Sequence, residues 1–305
     1  MADFVKTPSV LAGGIEVMNT PDLKSAASFL AGHGRVLERR RFDRLFGDGD
    51  AGPVRDAVAA YRNEDGGFGH GLEPDCRCPD SQPAAIELAF RILDEADAWD
   101  APLVSGACDW LQAHAATGGG ATFVEASAEG WPHAPWWVAE EGRPASLIAT
   151  GLIAGTLLAR AVSHPWLDRA SEVMWSRMDE LTAPSAYEMR GVLRFLDCVP
   201  DRDRAQRAFD RVGPLLLECK LVTLDPDEAG EVHTPLDFAP SPRSLARQLF
   251  DARTISAHLD RMAGGQSADG GWTFNWFEWS PAAALDWRGF MTIEALMVLR
   301  TNDRL

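Results

Sequence analysis

Three stretches of the sequence, residues 84–93, 147–159 and 291–299, have helical spacing and are apolar on nearly every face. A helix of that kind must be surrounded by protein. Between them run segments with one apolar stripe and one wet face: Val54, Val58 and Tyr61; Leu103, Ala107, Trp110 and Leu111; Trp166, Ala170, Val173 and Met174; then Leu245, Leu249, Ala252, Leu259 and Met262. Runs that alternate apolar and polar residues are scarce, so strands are not expected. An outer amphipathic helix followed by an inner apolar one, repeated around a circle, satisfies both patterns. The sequence therefore predicts an all-α chain folded as an (α/α) toroid or barrel. No linker divides it, which gives one toroid domain over residues 21–305 after an N-terminal arm, residues 1–20.

Composition narrows the partners. The 305 residues carry a formal net charge of -16, with 29 Lys and Arg against 45 Asp and Glu, and no basic block. Nucleic acid and an anionic membrane surface both demand a basic footprint, and both are excluded on this reading. The longest apolar run, 147–159, is too short to cross a bilayer, so no integral membrane segment is expected. The N-terminus lacks a basic head followed by an apolar stretch, and a cytoplasmic location is expected. Five cysteines, an odd number lying mostly within helical patterns, suit reduced thiols.

Internal repeats point the same way. Asn63-Glu-Asp-Gly-Gly-Phe-Gly69 and Gln266-Ser-Ala-Asp-Gly-Gly-Trp-Thr-Phe274 share an Asp-Gly-Gly-aromatic core, and Thr117-Gly-Gly-Gly-Ala-Thr-Phe123 reads as a decayed third copy. Each follows an amphipathic helix. Glycine permits positive φ at a helix end, Asp and Gln satisfy exposed backbone groups, and the ring packs between repeats. At these repeats the chain resembles the terpenoid cyclase and protein prenyltransferase superfamily. Gln266-Ser-Ala-Asp-Gly-Gly-Trp272 matches the Gln-x-x-Asp-Gly-Gly-Trp element of squalene-hopene-type cyclases, and the copy at Asn63 is similar to the prenyltransferase β-subunit version. The resemblance spans roughly residues 50–300 and implies an α/α toroid. Related repeats also occur on the toroids of some pectate lyases, and a fold does not fix a chemistry.

The resemblance implies a first catalytic candidate, Asp225-Pro-Asp227-Glu228, which looks like a variant of the Asp-x-Asp-Asp acid motif of class II terpene cyclases. On that reading Asp227 protonates an alkene or epoxide while Asp225 and Glu228 orient it. Crowded carboxylates in a poorly solvated cavity raise one pKa, as a proton donor at neutral pH requires. Glu228 replaces the final Asp, however, and Pro226, Gly230 and Pro235 argue for a loop, so a solvated acidic turn is the alternative.

Aromatic residues supply candidate substrate contacts. There are 11 Trp and only 2 Tyr. Phe274, Trp276 and Trp279 fall in one dense segment with Trp272 and Phe277, and Trp136 and Trp137 in another with Trp131. Aromatic faces stabilise a cation without attacking it; the alternative for each ring is packing between repeats.

A second acid/base candidate is the pair Glu73 and Asp75, on a glycine-rich loop expected at one rim of the toroid, where polar loop residues carry function. That pair suits a carbohydrate-active lyase or hydrolase. His70, Cys76 and Cys78 nearby are zinc-type ligands, but without a second cluster no metal and no cofactor is expected. Arg288, in Asp286-Trp-Arg288, is placed either on an anionic substrate group or in a salt-bridged cap. His233-Thr-Pro-Leu-Asp237-Phe-Ala-Pro240 is a Pro-rich loop that covers the cavity or joins helices. Phosphate-binding loops, a Gly-x-Ser-x-Gly elbow, His-Glu-x-x-His and Asp-Asp-x-x-Asp are missing. Three functions stand: acid-initiated cyclisation or isomerisation of a bulky apolar isoprenoid in the central cavity, carbohydrate lyase or hydrolase chemistry, and non-catalytic binding of a lipid or peptide. Oligomeric state is not readable.

Overall fold

The computed structural model describes residues 20–305. The arm expected over residues 1–20 lies outside them except for Thr20. Thirteen α-helices are present among the described residues: α1 (Leu23–His33), α2 (Val36–Phe46), α3 (Ala51–Ala59), α4 (Pro83–Glu95), α5 (Ala101–Ala113), α6 (Leu147–Ala159), α7 (Pro165–Asp179), α8 (Ala186–Cys198), α9 (Arg202–Val212), α10 (Leu215–Glu218), α11 (Pro235–Phe238), α12 (Ala252–Ala263) and α13 (Pro281–Thr301). Their starts are written locally. Asp22, Asp100, Ser146, Asp201, Asp251 and Ser280 each cap a helix through a side-chain oxygen, and Ser185 with Glu188 forms a capping box. Proline opens α4, α7, α11 and α13 at the position where a missing N–H costs nothing. Among the described residues no helix is long and apolar enough to cross a membrane.

These helices form an all-α toroid. An inner ring of α2, α4, α6, α8, the short α11 and α13 is wrapped by α1, α3, α5, α7, α9 and α12, and the ring closes where α13 meets α1 and α2. Burial follows the predicted alternation: α6 is buried on nearly all faces, while α9 and α12 each keep an exposed side. The closest inner contact, α6 against α8, depends on two glycines. A Cβ on Gly151 would lie 2.3 Å from the Gly191 carbonyl oxygen, and one on Gly191 would lie 2.2 Å from that of Leu147. The stripe expected from Leu245 to Met262 is instead broken: Leu245–Leu249 is a 3-10 turn, and α12 starts afresh behind its Asp251 cap.

All three repeats make one backbone joint. Asn63, Ala116 and Ser267 each donate N–H to the carbonyl four residues on, at 2.9, 3.1 and 2.8 Å, and each carbonyl accepts from the N–H three residues on, at 3.1, 2.8 and 2.8 Å. The glycine at that third position has φ of +95°, +109° and +95° at Gly66, Gly119 and Gly270. The following ring, Phe68 or Trp272, is buried, and Ala121 takes its place in the decayed copy.

Long connections precede the inner helices α4, α6, α11 and α13, whereas α2 to α3, α4 to α5, α6 to α7 and α8 to α9 are joined by short turns. The long ones gather at the rim where the inner helices begin. They are stitched together there: Arg77 N–H donates to the Pro132 carbonyl at 2.9 Å, Ala134 N–H to that of Asp75 at 2.8 Å, and Asn275 Nδ2 to that of Val232 at 3.0 Å.

The axis departs from the apolar cavity expected of it. The inner helices turn charged stripes inward, Glu87, Arg91 and Glu95 at one-turn spacing on α4, and Arg190 and Arg194 on α8. Arg41, fully buried, donates through NH2 to Glu95 at 2.7 Å and Glu294 at 3.0 Å. Arg91 pairs with the same two carboxylates, and both guanidiniums lie over the Phe290 ring, at 4.8 and 5.1 Å from its centroid. The helix α4, apolar on most faces, carries charges that fill the middle of the ring.

Candidate active site

Arg35 fixes the rim loop after the first repeat. Its NH1 donates to the carbonyls of Gly71 and Leu72 at 3.1 and 2.9 Å, while NH2 pairs with buried Glu38 at 2.7 Å. That anchors Glu73 and Asp75, which are 8% and 5% exposed. The Asp75 backbone N–H donates to Glu73 Oε2 at 2.7 Å, which holds the Glu73 carboxyl against the loop. Asp75 Oδ1 then accepts indole N–H bonds from Trp279 at 2.9 Å and Trp287 at 2.8 Å.

Electrostatics separate the pair. Burial, and then the charge of Asp75, push the Glu73 carboxyl well above its ordinary range. Burial raises Asp75 as well, but indole donors and Arg77 oppose it. Both carboxyls are raised, and the protonated form is favoured most strongly at Glu73. One level deeper, burial also lifts Glu87, against the pull of Arg91 and Arg190.

Aromatic rings surround Asp75. Trp287 meets Trp276 and Phe290 edge-on, with centroids 5.2 and 5.6 Å apart; Trp276 stacks on Phe274 at 4.6 Å; and Trp136 meets Phe277 edge-on at 6.5 Å. Trp137, 2% exposed, packs on Phe123 and helps line a shallow recess, too tight for a water molecule, shared with Glu73, Cys76, Cys78 and Gln82. That recess is smaller than the roughly 300–1,000 Å³ usual for small-molecule pockets. Any larger ligand must also use the half-exposed rings of the rim.

No protein-family model matches the sequence, and no curated protein matches it. Solved structures do. A protein from Actinoplanes superposes with a TM-score of 0.56 at 14% identity, over 92% of this chain and 98% of that one. The type II terpene cyclase MstE from Scytonema, without ligand, gives 0.53 at 10% identity over 93% and 88%. An MstE variant bound to its substrate geranylgeranyl dihydroxybenzoate gives 0.51 at 10%, over 93% and 87%. The chain has a terpene-cyclase-like fold.

Within this terpene-cyclase-like toroid the acid motif falls in the wrong surroundings. Asp225, Asp227 and Glu228 lie on an exposed turn. The Asp227 side chain is 82% exposed and pairs with Arg261 at 3.2 Å, its N–H bonded to Asp225 Oδ1 at 3.0 Å. Glu228 accepts from the Thr223 hydroxyl. The turn faces solvent and is not part of the aromatic cluster around Asp75. Pro226 and Gly230 did what their chemistry dictates and made the turn.

Arg288 is likewise not at the site. Its NH2 pairs with Asp269 of the Gln266 repeat at 2.8 Å and its guanidinium lies 4.5 Å from the Phe29 ring centroid, so it braces α13 against α1. His70 bonds Asn63 Oδ1 at 2.8 Å, Cys78 faces Ser127, and burial pushes the Cys76 thiol up to about 11. Trp276, Trp279, Phe274, Trp136 and Trp137, by contrast, are brought together around Glu73 and Asp75. Sequence reasoning missed Trp287, although Trp287, Phe290, Met291 and Glu294 follow one helical stripe. It also missed Glu87 and Arg190, visible as charges repeated every fourth residue.

Proposed function

We propose that the protein protonates a carbon–carbon double bond or epoxide of an isoprenoid-type molecule held against the rim tryptophans, with Glu73 and Asp75 as its acid site. The observation that carries this reading is a buried carboxyl pair at the centre of an aromatic cluster, on a terpene-cyclase-like toroid. Glu73 gives its proton to the alkene carbon and becomes a carboxylate. The resulting cation is faced by the rings of Trp276, Trp279 and Trp287, which stabilise positive charge without bonding to it. Asp75, fixed by its indole donors, supplies negative charge that needs no reorganisation as the cation forms. Loss of a proton from a neighbouring carbon to Glu73 restores the acid, so substrate and product have the same composition. Cys76, the nearest soft nucleophile, stays a thiol under its raised pKa and does not trap the cation.

The test is incubation with isoprenoid alcohols, carboxylates and epoxides, followed by mass spectrometry and chromatography of products. An isomeric product from the wild type, lost in Glu73→Gln, supports the reading. Cleavage of uronic acid oligomers, lost in the same variant, would assign the pair to lyase or hydrolase chemistry instead.

A further inference from the structure

The rim carries an outward-facing aromatic surface that the buried acid site does not use. Trp131, Trp136 and Val138 of the α5–α6 connection and Phe277 of the α12–α13 connection are all exposed, Phe277 by 63%. The two loops meet there, the Trp136 and Phe277 rings lying edge to face with centroids 6.5 Å apart. Single apolar side chains on a surface are ordinary, but a gathered set marks a place of contact. The charge around these rings has one sign. No Lys or Arg occurs between Val124 and Gly142, or between Gly265 and Trp287. Arginines from outside these stretches neutralise three of their carboxylates, Arg143 at Glu125, Arg288 at Asp269 and Arg77 at Asp286, each at 2.8 Å. Glu129, Glu140, Glu141 and Glu278 are exposed, and their side chains make no hydrogen bond or ion pair among the described residues. They flank the rings directly: Glu129 lies two positions before Trp131, Glu278 follows Phe277, and Glu140 shares a shallow groove with Val138.

We propose that this surface docks an arginine-rich segment of a partner protein. A guanidinium stacks on an aromatic face and pairs with a carboxylate at the same time, so one residue type satisfies both halves of the surface. The chain itself contains the arrangement: Arg288 lies over the Phe29 ring while its NH2 holds Asp269. At the rim the ring and the carboxylate are both present, in Phe277 with Glu278, and the guanidinium is the missing third part. Lysine fits less well, because its compact ammonium is more strongly hydrated and has no plane to lay on a ring. Unpaired carboxylates repel a nucleic acid or an anionic bilayer, which leaves a cationic peptide as the occupant that the charge selects.

Docking of this kind does not depend on the isoprenoid reading, and its test does not use activity. Fluorescein-labelled peptides of alternating Gly and Arg, or Gly and Lys, are titrated with the full chain and followed by anisotropy in about 0.15 M salt, where long-range attraction to the net negative charge is screened. The arginine peptide is expected to bind the wild type about tenfold more tightly than the lysine peptide. The double variant Glu140→Gln, Glu141→Gln weakens it about fivefold. A control with the same change in net charge on the outer helix α7, Asp168→Asn with Glu172→Gln, leaves it within about twofold, because exposed charges act locally at this salt. Phe277→Ser removes the preference for arginine over lysine. No binding, equal binding of the two peptides by the wild type, or equal losses in the rim and α7 double variants overturns the proposal. Binding to phosphatidylcholine vesicles that is lost in Phe277→Ser, without binding of the arginine peptide, assigns the surface to lipid and overturns it as well. Circular dichroism of each variant checks that the fold persists.

Discussion

Trp287 donates its indole N–H to Asp75 Oδ1 at 2.8 Å, joining the last inner helix to a rim loop 212 positions earlier in the chain. The bond ties closure of the toroid to the candidate acid site. Trp287→Phe keeps a ring between Trp276 and Phe290 but leaves a buried carboxylate one donor short, at a cost of about 1–3 kcal/mol. Urea denaturation should show that loss.

Stability should depend on pH through Glu73. Its carboxyl is raised in the folded protein above the ordinary value of 4.5, so between the two values the folded state holds more protons than the unfolded one. Stability from this group is then lost as pH rises from 4.5 toward the folded value. Glu73→Gln cannot ionise. The stability of the variant relative to wild type should climb with pH across that interval, as read by denaturant titrations from pH 4 to 8; a constant difference would contradict the raised pKa.

The axial ion network should be sensitive to a single truncation. Arg41 is wholly buried and serves two carboxylates. Arg41→Met strands part of that negative charge and is expected to cost about 3–5 kcal/mol. Differential scanning calorimetry would register the change as a lower Tm.

The repeat joint can be dissected with two alanines. Gly270 has φ +95°, and a Cβ there would lie 2.1 Å from the Ser25 carbonyl oxygen; Gly118, at φ +86°, has open space. Gly118→Ala should cost about 1 kcal/mol, from conformation alone. Gly270→Ala adds a backbone collision and should cost distinctly more in chemical denaturation.

Much of this was legible in the sequence. Residues 147–159 could only be an interior helix, and the Asp-Gly-Gly repeats built the joints that their glycines require. The acid site was harder to choose because burial is a tertiary property. Asp227 fitted a motif by letter, yet Pro226 and Gly230 placed it in water, whereas Asp75 acquired its environment from Trp279 and Trp287, more than 200 positions away. The stripe Glu87, Arg91 and Glu95 was open to inspection. Its meaning was not, since inward charge on an inner helix is stable only when Arg41 and Glu294 arrive from other parts of the ring.

Protonation from the Glu73–Asp75 pair is tested most directly by deuterium incorporation. Wild type, Asp75→Asn and Asp227→Asn are incubated with one converted isoprenoid substrate in D2O, and deuterium at the protonated carbon is followed by mass spectrometry. The predicted result is incorporation at equal rates by wild type and Asp227→Asn, with a loss of at least about 100-fold in Asp75→Asn. Normal incorporation by Asp75→Asn together with loss in Asp227→Asn would contradict it.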